Sequence, residues 1–250
     1  MIFTIAINEF KRIWHSYIAW VLFAIALFLL GLLLLIFLNN FYSETQDKLV
    51  NLRRAPGLTD LVITPYLFWT ALIGVFMVPL FAVRSSTEER QQGANLLLSS
   101  APLSTVQIVL GKYIALVLLA VVYTLVCSAY ALVLGYFTAI DYGKIAALVL
   151  AVFLFIASFN AAALFLANLT RTPIVATAAI IGMQLLFVML YFSGSATASS
   201  SGLFLYLANF SHLIQMLSGS INTTDVAYFF IFTLLFLSFT YLTLKYRKTN

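Results

Sequence analysis

The chain has 250 residues, 63% of them hydrophobic and only 8% charged, with a mean hydropathy of +1.06. Soluble domains carry about 25% charged residues, so this composition excludes a soluble globular domain and points to an integral membrane protein. Strands of a membrane barrel would alternate in hydrophobicity, and these apolar runs do not. The net charge of +5 is therefore read by position along a membrane protein and not as a nucleic-acid signal.

Residues 2–15 read as an amphipathic helix. Phe3, Ile7, Phe10 and Trp14 share one face, and Thr4, Asn8, Lys11, Arg12 and His15 lie opposite. That pattern suits a helix lying in the membrane interface. The apolar run after it is too long for a signal-peptide h-region, and no small-residue cleavage site follows.

Six runs are long and apolar enough to cross about 30 Å of hydrocarbon. They cover about residues 17–38, 61–83, 113–138, 145–169, 174–192 and 226–244. Pro65 and Pro79 fall in the second run, where a proline kinks the helix and frees a backbone carbonyl. All 21 charged residues (13 basic and 8 acidic) fall outside these predicted spans. The third span lies within Tyr113 to Ile140, a run with length to spare. Asp141 to Lys144 and Thr170 to Pro173 are short turns, and the single cysteine, Cys127, sits inside an apolar run.

Between the second and third spans lies an elbow, residues 84–112. Ser86 with Glu89, and Ser104 with Gln107, are spaced as capping boxes, and Pro102 disfavours helix at Ala101. The elbow is expected to be a helix, a break beside Leu96, Leu97 and Leu98, and a second helix entering the third span. Reversing the chain needs only four residues, as at 170–173, so a structured 29-residue elbow reads as a docking surface. A solvated hairpin with no partner is the alternative.

Residues 203–221 are also long enough to cross. They are amphipathic, with Leu203, Leu207, Phe210, Ile214 and Leu217 on one face and Ser211, His212, Gln215 and Ser218 on the other. They read as an interfacial or shallow re-entrant element on the outer side, with the Ser/Gly-rich 193–202 as a flexible lead-in. The positive-inside rule fixes the orientation. One side holds Lys11, Arg12, Arg84, Arg90, Lys112, Arg171, Lys245, Arg247 and Lys248; the other holds Lys48, Arg53, Arg54 and Lys144. Nine basic residues against four place both termini and the elbow in the cytoplasm. A seventh crossing through 203–221 would put the C-terminal basic residues outside.

Chemistry of its own is not evident in the chain. Gly111-Lys112 lacks the rest of a phosphate loop, and HExxH, CxxC and GxSxG are absent. His15 and His212 fall on opposite sides of the membrane and cannot share a metal. Glu88 and Glu89 are neighbours in sequence that do not face each other on a helix, and a first-turn carboxylate is explained by the macrodipole. The predicted spans contain no ionisable Asp, Glu, Lys, Arg or His, which weighs against a proton-driven carrier. Their polar residues, notably Thr70, Asn160, Gln184 and Ser158, fit interhelical hydrogen bonds or, for Thr70, Asn160 and Gln184, a substrate path. Ala157/Ala161 and Ala178/Gly182 have the small-residue spacing of close helix contacts, within the fold or across a dimer.

The elbow carries Glu88-Glu89-Arg90, Gly93, Leu96-Leu97-Leu98-Ser99-Ser100-Ala101-Pro102-Leu103-Ser104 and Leu110-Gly111-Lys112. With the six spans and the N-terminal helix, this resembles the type-2 ABC exporter permeases. That family shows an acidic–basic pair, a glycine, a leucine-rich turn ending in Pro-Leu-Ser, and Leu-Gly-Lys entering the third span. Ala94-Asn95 stand where it usually carries Thr-Leu-Glu. The tail, Leu205-Tyr206-Leu207 through Phe210-Ser211-His212 to Gly219, Asn222-Thr223 and Asp225, resembles the gliding-motility-associated subgroup.

The residues thus imply an all-α polytopic integral membrane protein: six transmembrane helices, an N-terminal interfacial amphipathic helix and a helical cytoplasmic elbow. The resemblance implies a single permease domain over 1–250 in the inner membrane, with no enzymatic activity or cofactor site in this chain. ATP and Mg would be bound by a separate ATPase subunit, in two copies, and a second permease, identical or related, would complete the exporter. Glu88, Glu89, Arg90, Gly93, Leu96, Leu97, Leu98, Pro102, Leu103 and Ser104 would contact the ATPase. A non-transporting scaffold that recruits a cytosolic partner and an ion-independent facilitator are the other readings of the same residues.

Overall fold

The computed structural model describes residues 2–45, 57–91, 104–170, 172–196 and 206–249. Every regular element among the described residues is helical. In chain order these are α1 (Ile2–Trp14), α2 (Tyr17–Asn40), a π-helical turn (Phe41–Thr45), a second such turn (Thr59–Ile63), α3 (Thr64–Met77), α4 (Leu80–Gln91), α5 (Thr105–Leu134), α6 (Tyr142–Leu169), α7 (Pro173–Ala196), α8 (Asn209–Leu217) and α9 (Thr223–Thr249). Among the described residues, six stretches are long and apolar enough to span a membrane: Tyr17–Ser43, Thr59–Ser85, Thr105–Leu134, Tyr142–Leu169, Pro173–Ser193 and Thr223–Tyr246.

The third of these departs most from the sequence expectation. It starts at Thr105, because the Ser104 N-cap launches a helix that runs on without interruption, and it ends at Leu134. There the chain turns tightly: a Cβ on Gly135 would lie 2.5 Å from Ile140 Cδ1. The long helices also take in Asp60, Arg84, Lys112, Lys144, Asp225 and Lys245 near their ends. The expectation that every charge lies outside them is corrected. Charge marks where a helix nears the membrane surface, not where it stops.

The central element is α6, which packs against α3, α4, α5, α7, α8 and α9. Lipid tails are as apolar as leucine, so close fit between helices and not hydrophobic drive holds such a bundle. Buried alanines at 147, 151, 157, 161, 162, 163 and 167 let the neighbours of α6 approach. Its aromatic residues fill the gaps: Phe155 meets Phe210 edge-on at 5.0 Å between ring centres, and Phe159 meets Phe187 at 5.8 Å. Gly74 is the crossing point of α3, where a Cβ would lie 2.5 Å from Ile156 and 2.6 Å from Tyr123. Reciprocal tyrosine bonds join α3 to α5. Tyr66 donates to the Cys127 carbonyl at 2.9 Å, and Tyr123 donates to the Thr70 carbonyl at 2.9 Å. The small pair Ala157/Ala161 is buried inside, whereas Ala178 and Gly182 face outward, with nothing within 4 Å of a Cβ on Gly182.

The N-terminal helix has three faces. Phe3 and Ile7 are exposed, Thr4, Asn8, Lys11 and His15 form the polar side, and Ala6, Glu9 and Ile13 are buried. The buried strip runs along α5. An apolar face left open beside a polar one is what a helix in the membrane interface requires.

Helix α8 lies within the amphipathic stretch 203–221. It has nine residues, about 14 Å at 1.5 Å rise, too short to cross. Only part of its polar side is turned to solvent: Gln215 and Ser218 are exposed, whereas Asn209, Ser211 and His212 are buried together with Phe210, Leu213, Met216 and Leu217, and Leu207 and Ile214 are exposed. The reason is a buried partner for His212, described below. Leu203 lies outside the described residues, as does most of 193–202; α7 itself runs through to Ala196.

Candidate functional site

The elbow is anchored by a polar cluster where its two legs leave the bundle. The Ser85 carbonyl, in α4, accepts from Lys112 Nζ of α5 at 3.1 Å and from Arg12 of α1 at 3.1 Å. The Ser85 hydroxyl donates to Glu9 Oε2 at 3.3 Å, and Glu9 pairs with Arg12 at 2.8 Å. Arg84 donates to the Ser16 hydroxyl at the junction of α1 and α2. Glu9 is 9% and Lys112 7% exposed. Burying such charges is tolerated only when they are paired and hydrogen-bonded. Here they are, and the bonds tie three segments, 9–16, 84–85 and 112, into one root.

Packing tightens the same root. A Cβ on Gly111 would lie 2.7 Å from Ile5 Cγ2 and 2.9 Å from Ile5 Cβ, so only glycine lets α1 lie this close to α5. Gly111 and Lys112 thus act together, one by absence of a side chain and one by its length. At the second leg, the capping box forms: the Gln107 N–H donates to Ser104 Oγ at 3.3 Å, and the Ser104 N–H donates to Gln107 Oε1 at 3.2 Å.

The first capping-box spacing does not fall at a helix start: Ser86 and Glu89 lie inside α4, which has already run from Leu80. The backbone at Glu88, Glu89 and Arg90 is helical. Gly93, Leu96, Leu97, Leu98, Pro102 and Leu103 lie outside the described residues.

Thr70, Asn160 and Gln184 are 0%, 0% and 1% exposed. The Thr70 hydroxyl donates to the Tyr66 carbonyl in its own helix at 3.0 Å. Asn160 Nδ2 donates to the Leu116 carbonyl of α5 at 3.3 Å, and Gln184 Nε2 donates to the Val75 carbonyl of α3 at 2.5 Å. The three are not brought into one cluster by these bonds. Each joins or braces helices, and the Asn160 Oδ1 and Gln184 Oε1 atoms are buried without a partner among the described residues.

A second polar cluster joins α8 to the start of α9. His212 Nδ1 and Asp225 Oδ1 share a hydrogen bond of 2.7 Å, and His212 Nε2 donates to the Tyr206 carbonyl at 2.9 Å. The imidazole stacks on Tyr228 with ring centres 4.0 Å apart. The Tyr228 hydroxyl in turn donates to the Leu207 carbonyl at 2.7 Å and lies 2.5 Å from Asn209 Oδ1. The signal available in sequence was a histidine and an aspartate flanking a short loop between apolar segments.

The profile described as ABC-2 family transporter protein matches residues 3–248. The chain belongs to this family. No match was found among curated proteins. With six helices able to span a membrane, the protein is a multi-pass permease subunit of an ABC transporter. Permeases of this family are non-catalytic membrane subunits that associate with an ABC ATPase.

Proposed function

We propose that this permease is the membrane-spanning half of an ATP-driven exporter and takes the ATPase stroke through the elbow at 84–112. The observation that supports this most is the root cluster. The Ser85 carbonyl receives donors from both α1 and α5, so a push on the elbow reaches the second span, the third span and the interfacial helix together. Two ATPase copies and a second permease complete the assembly, each permease contributing half of the substrate path. The basic-residue bias, nine against four, supports elbow and termini facing the cytoplasm of a cell whose inner membrane holds the complex. The resemblance of the elbow and tail supports export and placement near the gliding-motility-associated subgroup.

Leu97→Asp tests the docking role. Leucine anchors at interface hot spots are worth about 2 kcal/mol or more, roughly a thirtyfold change in affinity. The expected result is normal membrane insertion, since no spanning helix is altered, with strongly reduced co-purification of the ATPase subunit. Undiminished co-purification with Leu97→Asp refutes docking through this segment.

A further inference from the structure

Proline 79 interrupts the second span just before the helix that enters the elbow. Helix α3 ends at Met77, α4 begins at Leu80, and between them the bonds tighten: Phe81 N–H donates to the Val78 carbonyl at 3.1 Å and Ala82 N–H to the Pro79 carbonyl at 3.0 Å. An uninterrupted helix would satisfy the Val75 carbonyl with the N–H of residue 79. Proline has none, so that carbonyl is released inside the bundle, where water cannot reach it and an unmet group is costly. Gln184 of α7 supplies the missing donor, with Nε2 at 2.5 Å from the Val75 oxygen. Helix α7 also packs along α4. The Gln184 Oε1 atom has no partner among the described residues, so the side chain is held there by its amide donor alone.

We propose that Gln184 is a positioning residue that splints the Pro79 break, so that motion of α4 is passed to the fifth span and not lost by bending at the joint. This rests on the reading that the elbow receives the ATPase stroke. The function of the glutamine is conditional on the proline: any residue with an N–H at position 79 would satisfy Val75 from within the helix and make Gln184 dispensable.

The test is a double-mutant cycle in the intact complex in lipid, with two readouts. Gln184→Met keeps length and flexibility but removes the donor. Interhelical bonds in membranes average about 0.6 and reach about 1.7 kcal/mol, so the ratio of folded to unfolded chain falls about three- to eighteenfold. Permease-dependent ATP turnover falls by a similar factor, while co-purification of the ATPase is unchanged. In a Pro79→Ala background, Gln184→Met has an effect of less than about twofold on folding. Pro79→Gly, which also restores the N–H, serves if Pro79→Ala does not assemble. An equal loss with and without the proline, or no loss from Gln184→Met in the wild-type background, overturns the splint. Normal turnover with a Gln184→Met that is less stable overturns its role in transmission and leaves only a brace. Failure of the elbow reading is seen separately, as undiminished co-purification with Leu97→Asp, and does not alter the folding cycle.

Discussion

Replacing His212 by alanine should destabilise the permease strongly, against the expectation its sequence context gives. The Asp225 carboxylate is 1% exposed, and its Oδ2 has no partner among the described residues. His212 provides its 2.7 Å bond, and truncation leaves that carboxylate buried and unpaired. Removing one member of a buried pair costs about 3–5 kcal/mol; loss of the stacking on Tyr228 adds to this. At about 2–4 °C per kcal/mol for a chain of 150–250 residues, the midpoint of thermal unfolding should fall by roughly 6–20 °C. The assay is the thermal transition of the purified protein in detergent, followed by size-exclusion of the surviving fraction. Combining His212→Ala with Asp225→Ala should cost less than the sum of the singles by about 1–3 kcal/mol, because neither partner is then stranded. A His212→Ala midpoint within two degrees of wild type would show that the pair does not hold α8 to α9.

Three further outcomes follow from the same geometry. Gly111→Val drives a side chain into Ile5 and should displace α1 at a cost of about 1–3 kcal/mol, read as faster tryptic cleavage at Lys11 and Arg12 with the spans intact. Lys112→Met keeps the stem but removes the donor to Ser85, and should leave insertion normal while weakening the coupling of ATP turnover to the permease; wild-type turnover in that variant would count against the root. Tags at Asn250 and near Gln92 should report the same, cytoplasmic side and a tag at Gln46 the opposite one; an external Asn250 tag would mean an odd number of crossings.

Much of this architecture is legible in the sequence because it follows from local rules. Uninterrupted apolar runs mark the six long helices, Ser104 with Gln107 marks the start of α5, and Pro79 announces a freed carbonyl. The distant pairings are not legible. Nothing local says that Glu9 meets Ser85 across 76 positions or that Gln184 finds Val75 across 109. Charge reads as an outer limit for the third span, but Lys112 is buried with its ammonium bonded to a backbone carbonyl of another helix. Ser86 and Glu89 have capping spacing, yet capping requires a chain that is not already helical, and α4 is helical from Leu80. Periodicity places His212 on a polar face, and it records polarity but not whether a buried carboxylate lies opposite. The central leucines of the elbow fall outside the described residues, and their role rests on sequence pattern.

The most direct test of the account is crosslinking from single cysteines placed one at a time along residues 88–104, in a Cys127→Ser background and in the assembled complex. The native cysteine is buried, and its replacement leaves the introduced thiol as the sole thiol of this chain. The account predicts crosslinks to the ATPase subunit that peak near Leu96 to Leu98. No crosslink to any cytosolic subunit from any of these positions would contradict it.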